Sequence, residues 1–126
     1  MPVLAYYIGN RYIETLMTKS HREDPGRRAG VAYLILTSLA DGEKHGYGLT
    51  QDVEEFAGVR IAPGSLYEAL ARLEAQGLIE PVASADRRRP YRLTSAGASV
   101  LDEHLRAQER LVAEGRRRLL RSWRFA

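Results

Sequence analysis

Arg87, Arg88 and Arg89 stand in a row and carry the plainest chemistry in this sequence. A guanidinium group stays charged throughout the physiological range and grips phosphate or carboxylate oxygens through a fork of N–H donors. Most charge runs are simply solvated loops, so the surroundings must decide. Here Leu78-Ile79-Glu80-Pro81-Val82 and Pro90-Tyr91-Arg92-Leu93 flank the segment 83–89 and read as two short strands, which puts the arginines at a hairpin tip. Just before them, Pro63 suits the first turn of a helix. Leu66, Leu70 and Leu73 then recur on one face, and Gly77 supplies the stop. A helix followed at once by a basic-tipped hairpin is the reading end of a winged helix: the helix enters the major groove and the hairpin rides on phosphates.

Other chemistries find no support. His21, His45 and His104 share no metal-ligand spacing, and cysteine is absent, which leaves no thiolate site and no disulfide scaffold. There is no nucleophile–base pair and no glycine loop of the phosphate-cradling kind, so neither an enzyme nor a cofactor is expected. No apolar run approaches the roughly 20 residues of a membrane span, and Arg11 and Glu14 interrupt any signal-peptide pattern. The expected setting is the cytoplasm, on the nucleoid.

The elements that must position these groups follow from periodicity. The chain has 126 residues, 44% of them hydrophobic, enough for one core of ordinary size. Leu4, Ile8, Tyr12 and Leu16 mark an amphipathic helix over residues 2–19, followed by the polar break 21–26. Residues 28–40 form a second helix with Val31, Leu34, Ile35 and Leu39 inward. A third opens at His45-Gly46-Tyr47-Gly48, turns Leu49, Val53 and Phe56 to one face and ends at Gly58. After the hairpin, Thr94 is the N-cap of a last long helix reaching about Arg121, with Leu101, Leu105, Val112 and Leu119 as its apolar stripe. That stripe outruns a globule of about 65 residues and needs a partner surface, so a homodimer and a two-fold operator are expected. The architecture is thus mainly α with a small β-hairpin wing. It divides into an N-terminal helical extension (1–27), a winged helix-turn-helix (28–93) and a C-terminal dimerisation helix (94–126). The net charge is +3, yet residues 29–93 hold seven basic against nine acidic side chains. Order of elements, rather than overall charge, points to double-stranded DNA.

The ordered set Leu34-Ile35-Leu36, His45-Gly46-Tyr47-Gly48, Pro63-Gly64-Ser65-Leu66-Tyr67, Leu70, Leu73-Glu74, Gly77-Leu78-Ile79 and Tyr91-Arg92-Leu93-Thr94-Ala96-Gly97 resembles the PadR family of bacterial transcriptional regulators. The likeness runs from about Ala29 to Leu119. It implies a dimeric winged-helix repressor that dimerises through its C-terminal helix and often answers to small phenolic or drug-like effectors. It also implies that Ser65, Tyr67 and Arg72 lie on the helix inserted in the major groove. Position 62 departs from the pattern, with Ala where the family usually has a Ser or Thr cap. The wing is short, and the N-terminal extension is longer than in compact members.

Each candidate carries a plainer alternative. Tyr67 either contacts phosphate through its hydroxyl or is core beside Leu66. Arg72 is the best direct reader, because guanidinium pairs bidentately with guanine. Glu68 either accepts from cytosine or, as the favoured reading, pairs with Arg72 four residues on. Lys44, Thr50 and Gln51 are candidate phosphate contacts near the supporting helix. His45 is expected to cap or pack there. Trp123 is a dimer anchor or an effector-stacking residue. Together with Tyr7 and Tyr12 it would line a pocket for a small aromatic effector, unless these rings close into a dry core. A winged helix serving only as a protein-interaction module is the alternative function, suggested by acidic Asp52, Glu54 and Glu55.

Overall fold

The computed structural model describes residues 25–85 and 87–123, with side chains from residue 30 onward. The expected helix over 2–19, with Tyr7 and Tyr12, lies outside the described residues. Four helices and one hairpin follow in the order α1 (Pro25–Leu39), α2 (Gly46–Ala57), α3 (Pro63–Ala75), β1 (Ile79–Pro81), β2 (Tyr91–Leu93) and α4 (Ser95–Ser122). The winged-helix fold expected from the sequence is the fold observed.

Helix α1 is the hub, in contact with α2, α3, α4 and β2. Serving several neighbours, it buries a wide arc: Leu34, Ile35, Leu36 and Leu39, together with Ser38. Helix α2 turns Leu49, Val53 and Ala57 inward, an i, i+4, i+8 row. Phe56, expected on that face, is 41% exposed. The row steps from Val53 to small Ala57, which lets the helices approach closely, and Phe56 falls to the side of it.

Helix α3 buries Leu66, Ala69, Leu70 and Leu73. It stops in a Schellman arrangement: Leu78 N–H donates to the Leu73 carbonyl and Gly77 N–H to the Glu74 carbonyl, both at 3.0 Å. That turn requires φ +75° at Gly77, which is why a glycine stands there. The stop also aims the chain directly into β1. The strands pair antiparallel in the register Ile79↔Leu93, Glu80↔Arg92 and Pro81↔Tyr91, so that β1 is one residue shorter at both ends, and β2 one residue shorter at its start, than the sequence suggests. A hairpin this small is marginal alone, and here a third segment joins it. Lys44 forms an antiparallel bridge to Tyr91.

Thr94 caps α4 as expected. Its Oγ1 accepts from Gly97 N–H at 3.0 Å and donates to the Gly77 carbonyl at 2.7 Å, tying the start of α4 to the end of α3. Gly97 is a place where only glycine fits, since a Cβ would sit 2.1 Å from the Leu78 carbonyl oxygen. Leu101 needs correction as a subunit-seam residue: at 6% exposure it belongs to the protomer's own core. The first two turns of α4 therefore close the globule, and Tyr33 of α1 stacks on His104 with ring centroids 3.4 Å apart. Beyond that point the apolar side chains of the helix stay exposed. Leu105, Val112 and Leu119 are 44%, 40% and 42% exposed, and Leu111 and Leu120, absent from the expected stripe, are exposed with them.

Candidate nucleic-acid interface

An open cleft of about 670 Å³ lies where the wing meets the first turn of α2 and the exposed side of α3. Arg87, Arg88 and Arg89 line it from the wing loop and Tyr91 from β2. His45, Gly46 and Tyr47 line it from the start of α2, and Tyr67 from α3. Each group gets there for a local reason. The antiparallel pairing carries residues 82–90 out as a loop, with Val82 N–H on the Pro90 carbonyl at 2.8 Å closing its base. Leu66 must face the core, so Tyr67, one residue on, is thrown outward and is 64% exposed. Its hydroxyl lies 3.7 Å from where a Cβ of Gly46 would be, so the two helix starts meet at this tyrosine.

The electrostatics favour an anion. His45 occupies the N-cap position of α2 in extended backbone without a side-chain cap bond, and the first turn carries no acid. Ala62 likewise offers α3 no capping oxygen. The α2 N-terminus, with the partial positive charge of its amide groups, thus opens beside three guanidiniums. A phosphodiester backbone can accept hydrogen bonds from all of these without any chemistry taking place. Among the described residues no cluster of His, Asp or Glu could hold a metal ion, and no helix is long and apolar enough to cross a membrane.

The remaining sequence candidates are placed differently. Ser65 is exposed on α3, outside the cleft lining. Arg72 sits in the last turn of α3 with its side chain 32% exposed, and Nη1 is 3.8 Å from Glu68 Oε1, the pairing favoured from sequence. Thr50 turns its hydroxyl back on its own helix, donating to the Gly46 carbonyl at 2.7 Å. Lys44, expected on phosphate, is turned into the fold instead. Its Nζ donates to the Ser38 carbonyl and to Asp41 Oδ1, the latter at 2.5 Å, and lies 3.9 Å from Asp52 Oδ2. The physical reason is that α1 ends with no basic residue in its last turn, and an ammonium is stabilised among its terminal carbonyls.

Tyr47 and Tyr91 are members of the site that sequence reasoning did not single out. Tyr47 is 68% exposed, and its hydroxyl accepts from Gln51 Nε2 at 3.1 Å. The glycines on either side of it were the available signal, since they leave the helix start open to a ligand. Trp123 ends α4 at 65% exposure, with its N–H on the Leu119 carbonyl at 2.8 Å. The other two residues of the expected effector pocket, Tyr7 and Tyr12, fall outside the described residues.

Comparisons with known proteins bear on the family and the fold. The family model described as "Transcriptional regulator PadR-like family" matches residues 35–103. The chain is 45% identical over 91 residues to "Transcriptional regulator Rv3488" of Mycobacterium tuberculosis, covering 70% of this chain and 84% of that protein. It is 46% identical over 78 residues to an uncharacterized 37.1 kDa protein in transposon TN4556 of Streptomyces fradiae. That match covers 62% of this chain but only 23% of the longer protein. Among solved structures, a PadR family transcriptional regulator from Eggerthella lenta superposes with a TM-score of 0.65 at 28% identity, covering 91% of this chain and 98% of that one.

Proposed function

The chain belongs to the PadR-like family of transcriptional regulators, and on that premise we propose that it is a sequence-specific DNA-binding repressor, acting as a homodimer on a palindromic operator. The observation that carries this reading is the convergence of Arg87, Arg88 and Arg89 with the uncapped start of α2 and with Tyr67 of α3 on one open cleft. The arginines and the start of α2 hold the sugar–phosphate backbone, which sets register without reading sequence. Sequence is read by the outward side chains of α3, Ser65 near its start and Arg72 once a guanine offers it a better partner than Glu68, while the exposed Tyr67 contacts phosphate through its hydroxyl. The exposed stripe Leu105, Val112 and Leu119 is the face on which a second copy packs. Such a pair presents two cleft–helix units to successive turns of the major groove. DNA as the partner places the protein in the cytoplasm, on the nucleoid.

The test is a salt titration. Binding to phosphates releases counterions, so affinity must fall steeply with salt. Replacing Arg87, Arg88 and Arg89 together by Ala weakens operator and random duplex alike and flattens the logarithmic salt slope by about two to three units. Unchanged affinity and slope remove the wing from the interface. No salt-dependent DNA binding by the wild-type chain favours the protein-interaction module.

A further inference from the structure

Lys44 ties together three parts of this fold. Its backbone bonds Tyr91 in both directions, N–H to the Tyr91 carbonyl at 3.1 Å and carbonyl from Tyr91 N–H at 2.8 Å. It therefore adds a one-residue third strand to the inner edge of the wing. Its side chain runs the other way. The ammonium donates to the Ser38 carbonyl at the end of α1 and to Asp41 in the turn that follows, and it faces Asp52 on α2. Asp52 Oδ2 is itself held at 2.6 Å by the hydroxyl of Ser38, which is 1% exposed. One residue thus ties together the end of α1, the body of α2 and the wing.

The position of this knot gives it a consequence for the cleft. Lys44 immediately precedes His45 and Gly46 at one side of the cleft, and it pairs with Tyr91, from which the arginine loop hangs. Among the described residues the wing shows three paired positions, the Val82 N–H bond to the Pro90 carbonyl and an exposed ion pair, Arg92 Nε to Glu80 Oε1 at 2.6 Å, worth little in water. Ile79 and Leu93 seat the wing on the core, and the third strand is its direct backbone tie to the start of α2. We propose that Lys44 is a positioning residue for DNA binding: its ammonium locks the wing to the first two helices and so sets the spacing between the arginine loop and the α2 start, without touching phosphate. Asp41 reflects the same contact, its carboxyl being held below the usual carboxylate range by the hydrogen bond and then the charge of Lys44.

This assignment rests on the DNA-binding reading, and its test separates the two. In the full chain, Lys44→Met keeps the aliphatic stem and removes the ammonium. Hydrogen exchange on the free protein needs no DNA: the amides of Tyr91 and Val82 exchange faster, while those inside α3 keep wild-type protection. Unchanged exchange at Tyr91 overturns the lock, whatever the protein binds. On a duplex bearing the inverted repeat nearest the gene, affinity drops about tenfold with the salt slope unchanged. A slope reduced by about one, with equal loss on random duplex, makes Lys44 a phosphate contact and overturns the proposal. Asp52→Asn supplies an opposite sign. Removing a negative charge near DNA strengthens binding on electrostatics alone, whereas a loosened lock weakens it, so equal or tighter binding refutes the assignment. If Lys44→Met loses its helical signal, Asp52→Asn and Lys44→Arg decide, the latter restoring both wing protection and operator affinity.

Discussion

The globule and the distal half of α4 are built from similar residues and solve opposite problems. Up to Leu101, leucines and isoleucines recur at helical spacing and are buried, with Ile35, Leu49, Leu70 and Ile79 at 1% exposure or less. Past that residue, leucine and valine recur at helical spacing just as regularly, and yet Leu105, Leu111, Val112, Leu119 and Leu120 all remain exposed. Regular spacing therefore says that a face will be covered, and not what covers it. In the globule the cover is α1, which touches every other helix. For the outer part of α4, about 30 Å of helix at 1.5 Å per residue, the described part of the protomer offers none. The polar groups divide the same way. Ser38, Asp52 and Lys44 are tied to one another across elements, whereas the pairs on α4, such as Arg106–Asp102 and Arg118–Glu114, are local i, i+4 contacts on the helix surface. Surface pairs of that kind add little in water.

The sharpest way to break this contrast is Leu105→Asp. If the stripe is a subunit seam, an unpaired carboxylate inside it costs several kcal/mol of association. Sedimentation should then show a monomer, while far-UV circular dichroism keeps the globule's helical signal. A stable dimer would put the seam elsewhere. Next in size is Gly97→Ala, at the border of the two regions. The added Cβ would meet the Leu78 carbonyl at 2.1 Å and Leu93 Cδ1 at 2.7 Å. Backbone cannot swing aside as a side-chain end can, so the cost is about 1–3 kcal/mol in urea unfolding of the monomeric globule, with no specific effect on association.

The smallest effect concerns the stack that joins the regions. His104 is held below the ordinary histidine range because burial against Tyr33 disfavours its charged form. Protonation then favours the unfolded chain. The contribution is fully present above pH 6.5, the unfolded value, and is lost as pH falls through the depressed folded value. His104→Phe keeps a ring on Tyr33 and takes up no proton. Thermal unfolding of that variant should decline less toward acid pH than that of the wild type, and parallel curves would show that the stack carries no such linkage.

The short-range signals were legible because they act within one helix or one turn. Pro63 and Gly77 mark the start and stop of α3, Thr94 caps α4, and the leucine rows name the inward faces of α1 and α3. The three arginines at the wing tip follow from the same kind of reading, since two strands with seven residues between them leave that loop nowhere else to go. The order of those signals was specific enough to carry the family as well. What the sequence left undecided were choices between distant partners. Phe56 or Ala57 could have faced α1, and close packing of the two helices selected the smaller residue. Leu101 and Leu105 share one stripe, and only the place where α4 leaves the globule separates a core residue from an exposed one. Lys44 has a long, flexible stem that reaches solvent as easily as the end of α1. The carbonyl of Ser38 and two carboxylates came within its reach only after α1, α2 and β2 had been brought together. Local sequence settles backbone conformation over a few residues, whereas the partner of a long side chain depends on groups far apart in the chain, and folding alone brings those into contact.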